Sequence, residues 1–340
     1  MASISRTVLL ASAVCVAVTL SACSSNADDG VQEDSDWEPV TIEHALGTTT
    51  IEEKPEDIAT VNYGNHEVPL ALGIVPVGMA AQDFGDDDGN GVLPWVEDKL
   101  EDLDAETPVL FDETDGIDFE AVADTQPDVI LASYSGLTQE DYDTLSEIAP
   151  VVAYPETAWG TPWREMIEIN SQAMGMAGEG EELVSDLESE IEEAAAQHPD
   201  IAGKSTMFLT HVDPSDLSEV NFYTTHDTRA MFFEDIGMAA PESIEEASAE
   251  TDQFSSTISA EQADTFDDVD IIVTYGDEEL VETLESDELL SQMPAVENGA
   301  IVSLPSDAPL GTAANPTPLS ISYILDDYLD ELDTAATASQ

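Results

Sequence analysis

Seventy-five acidic residues stand against six basic ones in this 340-residue chain, a formal net charge of −69. Such a chain folds only if its apolar residues gather into runs that close over a core, because charge pairing can supply little cohesion. Hydrophobic residues make up 42% of the sequence and fall in periodic stretches, which points to a folded acidic protein rather than a disordered one. At low salt, where the Debye length is about 10 Å or more, the like charges repel strongly. The balance suits a protein that works in high salt, a halophilic adaptation in which screening relieves the repulsion and carboxylates keep the surface hydrated. Nucleic acid and anionic lipid headgroups are excluded as partners, since no basic patch exists to bind them.

The N-terminus carries an export signal. Arg6 gives a short basic start, residues 8–20 an uncharged apolar run, and Leu20-Ser21-Ala22-Cys23 closes it. The run is too short for a spanning helix and has the layout of a secretory signal peptide. Its ending resembles the lipobox of bacterial lipoproteins, which implies cleavage after residue 22 and lipidation of Cys23, with a palmitate-type acyl chain. The acidic, small-residue stretch 24–36 then reads as a tether, so the expected location is the extracytoplasmic face of the cell membrane, held by lipid alone. Cys15 lies in the signal, so after processing no cysteine pair remains and both a disulfide framework and a Cys-based zinc site are excluded.

From Val40 onward short apolar strands alternate with longer acidic amphipathic stretches, the pattern of an α/β protein. Strands are expected at 58–61, 75–79, 129–132 and 151–154, and a second set at 206–212, 270–275 and 300–304. Between the sets, Thr161-Pro162-Trp163 predicts a helix start with a threonine cap and proline at its first position, and apolar spacing carries the helix to Gly175. A second helix is expected over 181–197. The halves echo each other: an acidic helix leads into Asp128-Val129-Ile130-Leu131-Ala132-Ser133-Tyr134, and another into Asp270-Ile271-Ile272-Val273-Thr274-Tyr275. Each is an Asp-led strand ending at a tyrosine. Two similar lobes with strand C-termini facing one cleft would place a ligand at those ends.

Several segments resemble one known family in register. They are Val40-Thr41-Ile42-Glu43-His44 with Gly47-Thr48-Thr49-Thr50-Ile51, then Leu70-Ala71-Leu72-Gly73-Ile74-Val75-Pro76-Val77-Gly78, then Pro127-Asp128-Val129-Ile130-Leu131. Ile148-Ala149-Pro150-Val151-Val152 and Pro294-Ala295-Val296-Glu297-Asn298-Gly299 continue the series. Together they are similar to the ferric-siderophore-binding lipoproteins of ABC importers, within the siderophore and cobalamin class of periplasmic binding proteins. The resemblance implies two Rossmann-like α/β lobes joined by a long rigid linker helix with the ligand cleft between them. It divides the chain into an N-terminal lobe at 38–160, a linker helix at 161–175, a C-terminal lobe at 176–335 and a tail at 336–340. It implies a monomeric receptor that binds an Fe(III)-siderophore without turning it over, has no intrinsic cofactor, and delivers its cargo to an importer permease.

Candidate ligand residues follow from this frame. Arg229, one of three arginines, is placed by the resemblance at a helix start facing the cleft, where its planar fork would bond ligand oxygens; a salt bridge to Asp227 or Glu234 is the alternative. Arg164 near the linker's first turn has a similar argument, against Glu165 and Glu168 beside it. Tyr63, Asn65 and His66 follow the first strand, Ser133, Tyr134 and Ser135 the third, and Trp159 precedes the linker. His211 and Asp213, with Tyr275, are expected on the opposing wall, and His226 is a further candidate ligand residue. Aromatic rings with a few donors suit a rigid, partly apolar iron chelate, and core packing is each ring's alternative. Members of the family often end the late turn with "NGR", whereas here it reads Asn298-Gly299-Ala300. So few cations disfavour a trianionic ligand and favour neutral or cationic ferric hydroxamates of the ferrioxamine kind.

Asp86, Asp88, Asn90 and Glu97 match the spacing of a calcium loop, although no helix enters it and an acidic turn gives the same pattern. A receptor for Zn²⁺ or Mn²⁺ held by His66, His211, His226 and Asp213 is an alternative, as is a cobalamin or haem receptor of the same class. A hydrolase built on Ser133 or Ser135 with His211 lacks the Gly-x-Ser-x-Gly elbow. An acidic calcium-dependent adhesin does not explain the cleft-forming pattern.

Overall fold

The structure is a computed structural model that describes residues 37–306 and 308–339. The signal segment, Cys23 and the tether through Asp36 lie outside the described residues, as do Asp307 and Gln340. The body from Glu38 onward begins with an antiparallel hairpin, β1 (Val40–His44) and β2 (Gly47–Ile51). Ile42 and His44 on one strand and Thr49 and Ile51 on the other are buried, the period-2 pattern of strands with one covered face.

Five short strands then form a parallel sheet: β3 (Ile58–Thr60), β4 (Gly78–Ala80), β5 (Val109–Phe111), β6 (Val129–Ala132) and β7 (Val151–Ala153). Their order is β5-β4-β3-β6-β7. β3, β6 and β7 are buried along their whole length, which is why they read as continuous apolar runs. The second lobe holds β8 (Thr206–Phe208), β9 (Glu219–Tyr223), β10 (Ser255–Ser259), β11 (Ile271–Tyr275) and β12 (Ile301–Leu304). Here β12-β11-β8 pair in parallel, and β9 and β10 form an antiparallel ladder that an isolated bridge between Leu209 and Phe222 joins to the end of β8.

The two Asp-led strands share a device. Asp128 Oδ2 accepts the backbone N–H groups of Glu56 and Asp57, just ahead of β3. Asp270 Oδ2 likewise accepts from Ser205 N and Oγ, just ahead of β8. Each aspartate fixes where its neighbouring strand begins, so both sheets start in register.

Two expected strands are displaced. The second begins at Gly78 rather than residue 75, because Pro76 has no N–H and pairing begins where Val77 N–H reaches Ile58 O at 2.8 Å. A side chain at Gly78 would run into the Phe111 ring. The strand expected over 206–212 ends at Phe208, after which Thr210 N–H turns to Asn221 O and the chain leaves the sheet.

The lobes are joined by two helices, Trp163–Ala173 and Ala177–Ala195, with Gly175 at φ 70° between them. The linker expected over 161–175 is thus an eleven-residue helix, and Pro162 rather than Thr161 stands at its N-cap. Thr161 donates its hydroxyl to Ser133 O instead. The first helix packs on the N-terminal lobe and the second on the C-terminal helix Ser320–Ala338.

One buried carboxylate ties that last helix back to the first lobe. Glu67 is fully buried and accepts from Trp95 Nε1 at 2.8 Å, Leu319 N at 2.9 Å and Ser320 N at 3.4 Å. Its charge faces the positive end of the Ser320–Ala338 dipole. Glu67→Ala leaves those donors buried without an acceptor, and denaturant unfolding is expected to show a loss of about 3 kcal/mol. A change below about 0.5 kcal/mol, the scale of an ordinary surface substitution, would contradict this role.

Candidate ligand-binding site

The residues that face the space between the lobes sit just past strand ends, as an open α/β sheet requires. In the first lobe Tyr63 follows β3, Phe84 follows β4, Tyr134 follows β6 and Trp159 follows β7. β3 and β6 are the neighbours at which strand order reverses, and their two tyrosines stand with ring centroids 6.2 Å apart. Tyr134 also meets Trp159 edge-on at 5.5 Å. In the second lobe Tyr223 ends β9 and Tyr275 ends β11. With Phe254, Thr312 and Asn315, these groups enclose a cavity of about 260 Å³.

The opposing walls touch. Phe84 meets Tyr275 edge-on at 5.9 Å, and His211 stacks behind Tyr275 at 4.6 Å. Thr312 reaches both ways: its carbonyl accepts from Tyr63 Oη at 3.3 Å and its hydroxyl donates to Phe84 O at 3.0 Å. Asn315 Nδ2 donates to Tyr134 Oη at 3.1 Å while its Oδ1 accepts from Thr228 at 2.6 Å. A layer of hydroxyl and amide groups therefore lies across the floor of an aromatic chamber.

The chamber's one charged pair is Arg229 with Asp227. Arg229 Nη1 donates to both Asp227 oxygens at 2.9 and 2.8 Å, its Nε donates to Tyr275 Oη at 2.9 Å, and its guanidinium lies 4.4 Å over the Tyr223 ring. No protein partner meets Nη2 among the described residues. Burial opposes the arginine's charge, but Asp227, ahead of the surrounding phenols, holds its pKa well above the usual value. Burial raises the Asp227 carboxyl, against the pull of Arg229. Asp227 also caps the helix Thr228–Asp235 by accepting Arg229 N–H. The salt bridge and the cleft-facing position, alternatives in the sequence, coexist.

Of the expected ligand residues, Tyr63, Tyr134, Trp159, Arg229 and Tyr275 line the cavity, and His211 backs it. The others lie elsewhere. Asn65 is buried beneath the wall, its amide donating to Val61 O and Tyr134 O while its Oδ1 accepts Tyr134 N–H and the Ser133 hydroxyl. Ser133 is thereby occupied, and Ser135 is buried beside it. His66 is buried and its pKa is pushed down to about 4 by that burial, so it is neutral at ordinary pH. Arg164 pairs with Glu188 at 2.6 Å and Asp235 at 2.7 Å, bracing the two linking helices and the C-terminal lobe. His226 turns its ring to Ser248 O and Thr251 O, outside the chamber. Strand-end turns carry both wall and foundation residues, and only packing separates them.

Phe84, Tyr223, Asp227, Phe254, Thr312 and Asn315 complete the site and were not among the expected ligand residues. For Phe84 a signal existed, an aromatic residue just past a strand end. None marked Thr312 and Asn315, which reach the site from a segment far along the chain.

Among the described residues the side chains of the expected calcium loop are engaged elsewhere. Asp86 accepts the N–H groups of Asp88, Gly89 and Gly91, Asp88 accepts that of Asn90, and Asn90 Nδ2 bonds Glu97. These loop oxygens serve the loop's own amides. Among the described residues no group of three or more His, Cys, Asp or Glu is placed to hold a metal, and His66, His211, His226 and Asp213 are dispersed.

The family model for periplasmic binding proteins matches residues 58–308. The chain belongs to that family, whose members bind solutes rather than transform them. PiaA of Streptococcus pneumoniae, solved in complex with ferrichrome, is 45% identical, covers 88% of this chain and 99% of its own, and superposes with a TM-score of 0.85. The probable siderophore-binding lipoprotein YfiY of Bacillus subtilis is 28% identical over 261 residues, 76% of this chain and 74% of the relative. SirA of Staphylococcus aureus, solved with staphyloferrin B, is 20% identical over 86% of this chain and 98% of its own, with a TM-score of 0.66, and shares the fold. Among the described residues no helix is long and apolar enough to cross a membrane.

Proposed function

We propose that this protein is the lipid-anchored, extracytoplasmic receptor of an ABC importer, capturing an Fe(III)-siderophore of the hydroxamate type and passing it to the permease as a monomer. Cys23 is the anchor in this reading, 24–36 the tether, 38–160 and 176–335 the lobes and 161–175 the linker. The observation that carries the ligand class is the cancelled charge of the chamber. Arg229 is matched by Asp227, and every other wall group is an aromatic ring, hydroxyl or amide. A neutral chelate enters such a site with little electrostatic penalty, and hydroxamate oxygens suit the Arg229 Nη2 and tyrosine donors. A trianionic catecholate meets no net positive charge there and a strongly negative field outside. The likeness to PiaA over nearly its whole length supports the same class.

Titration of the mature protein by tryptophan fluorescence tests the proposal. Ferrichrome or a ferrioxamine is expected to bind with a dissociation constant below about 1 μM, a binding free energy of roughly −8 kcal/mol, and ferric enterobactin not at all. Tight binding of the catecholate with none of the hydroxamates would overturn it.

A further inference from the structure

Trp159 stands at φ +61°, a left-handed conformation that a bulky side chain rarely adopts. Such strain persists only where the surroundings over-determine it. Its N–H donates to Ser135 O at 3.0 Å, and its indole lies against the Cα of Gly136. A side chain at Gly136 would come within 2.6 Å of Trp159 Cε2 and 2.8 Å of Cζ2, and closer still to Nε1. Glycine at 136 is therefore what lets the indole occupy this place.

Gly136 is itself held. Its N–H donates to Asn62 Oδ1 at 3.1 Å, and Asn62 also stands in the left-handed region, at φ +59°. Glu113 grips Asn62 on two sides, taking its backbone N–H with both carboxylate oxygens at 3.1 Å and its Nδ2 with Oε2 at 2.8 Å. Two left-handed positions, of which the tryptophan is the strained one, and one glycine are thus linked in series, and the chain ends at the ring of Trp159. That ring has a particular place. On one side is the aromatic chamber of about 260 Å³, and on the other an open recess of about 680 Å³ lined by Gln82, Asp83, Leu110 and Glu113. Trp159 and Tyr63 line both.

We infer that Gly136 and Asn62 are specificity-determining positioning residues: they fix Trp159 as the partition between chamber and recess, so the site favours compact ferric hydroxamates over ones with extended arms. The inference rests on the receptor reading above and adds the residues that set its selectivity.

The test measures a ratio. Affinities for ferrichrome, a compact cyclic chelate, and for ferrioxamine B, a linear one with a free amine arm, are compared in the wild type, Gly136→Ala, Asn62→Gly and Trp159→Ala. Each variant is expected to shift the ratio toward ferrioxamine B by about tenfold or more, and Gly136→Ala added to Trp159→Ala is expected to shift it no further. Equal losses for both ligands, or an additive double variant, would overturn the inference and leave the receptor reading intact. A second readout needs no ligand. Gly136→Ala is expected to change tryptophan emission, and the change to vanish in a Trp159→Phe background. Unchanged emission overturns the positioning role, whereas a wild type that binds neither chelate overturns the receptor reading instead.

Discussion

Arg229→Met is expected to cost about 3–5 kcal/mol of stability, because it strands Asp227 as an uncompensated buried charge. Asp227 is 1% exposed, and both its oxygens lie on Arg229 Nη1. The arginine also supplies the hydrogen bond to Tyr275 Oη and the cation over the Tyr223 ring, so the cavity wall loosens with it. Ferrichrome affinity is expected to fall by roughly ten- to a hundredfold, the worth of a charge-assisted hydrogen bond. The pH dependence identifies the cause. Burial already raises the Asp227 pKa, and without Arg229 nothing comparable opposes it. A carboxyl whose folded pKa is raised contributes stability that is present below its unfolded pKa and lost as pH rises through the folded one. The deficit of the variant should therefore shrink as pH is lowered from 8 toward 5, before general acid unfolding sets in. Asp227→Asn in the same background should recover most of the loss, since asparagine keeps an oxygen to cap the helix Thr228–Asp235. A deficit that is constant with pH and survives the second substitution would place the damage in packing instead.

Much of the sheet framework was legible, because buried parallel strands must be apolar along their whole length and the helices between them need not be. The Asp-led strands β6 and β11 stood out for a reason that the structure supplies: Asp128 and Asp270 each hold the start of the neighbouring strand in the sheet, β3 and β8. Strand limits were less legible where hydrogen bonding rather than hydropathy decides them, as at Pro76 and after Phe208. At the site, strand-end aromatics were legible from position, and Arg229 from its rarity in an acidic chain. Sequence position could not separate Tyr63 and Tyr134, whose rings face the cavity, from Asn65 and Ser133, which knot together the turns beneath them. Nor could it bring Thr312 and Asn315 to the site, since Gly64 and Gly85 admit that distant segment through close approach to Thr317 and Thr312, a matter of tertiary packing.

The largest expected effect of solvent concerns salt. Raising KCl from 0.1 to 2 M is expected to lift the thermal midpoint by on the order of 10 °C, as several kcal/mol of like-charge repulsion is screened. The repulsion has identifiable places. On the helix Ala177–Ala195, Glu182, Asp186 and Glu190 follow one another at four-residue spacing, as do Glu188 and Glu192. Each such pair costs roughly 0.2–0.5 kcal/mol at low salt. No lysine or arginine lies on that helix, and Arg164 reaches it at Glu188 alone. With six basic residues in the whole chain, relief must come from mobile cations rather than from ion pairs. The Debye length falls from about 10 Å at 0.1 M to about 3 Å at 1 M, so most of the rise should come below 1 M and flatten beyond it. Protonation offers the same relief by another route, so near pH 4 the midpoint should depend on salt much less. Asp227 is buried and Arg229 largely so, and added salt should leave their pairing little changed. A midpoint equal at 0.1 and 2 M would mean that the acidic surface is held apart without screening, and high salt would cease to explain the composition.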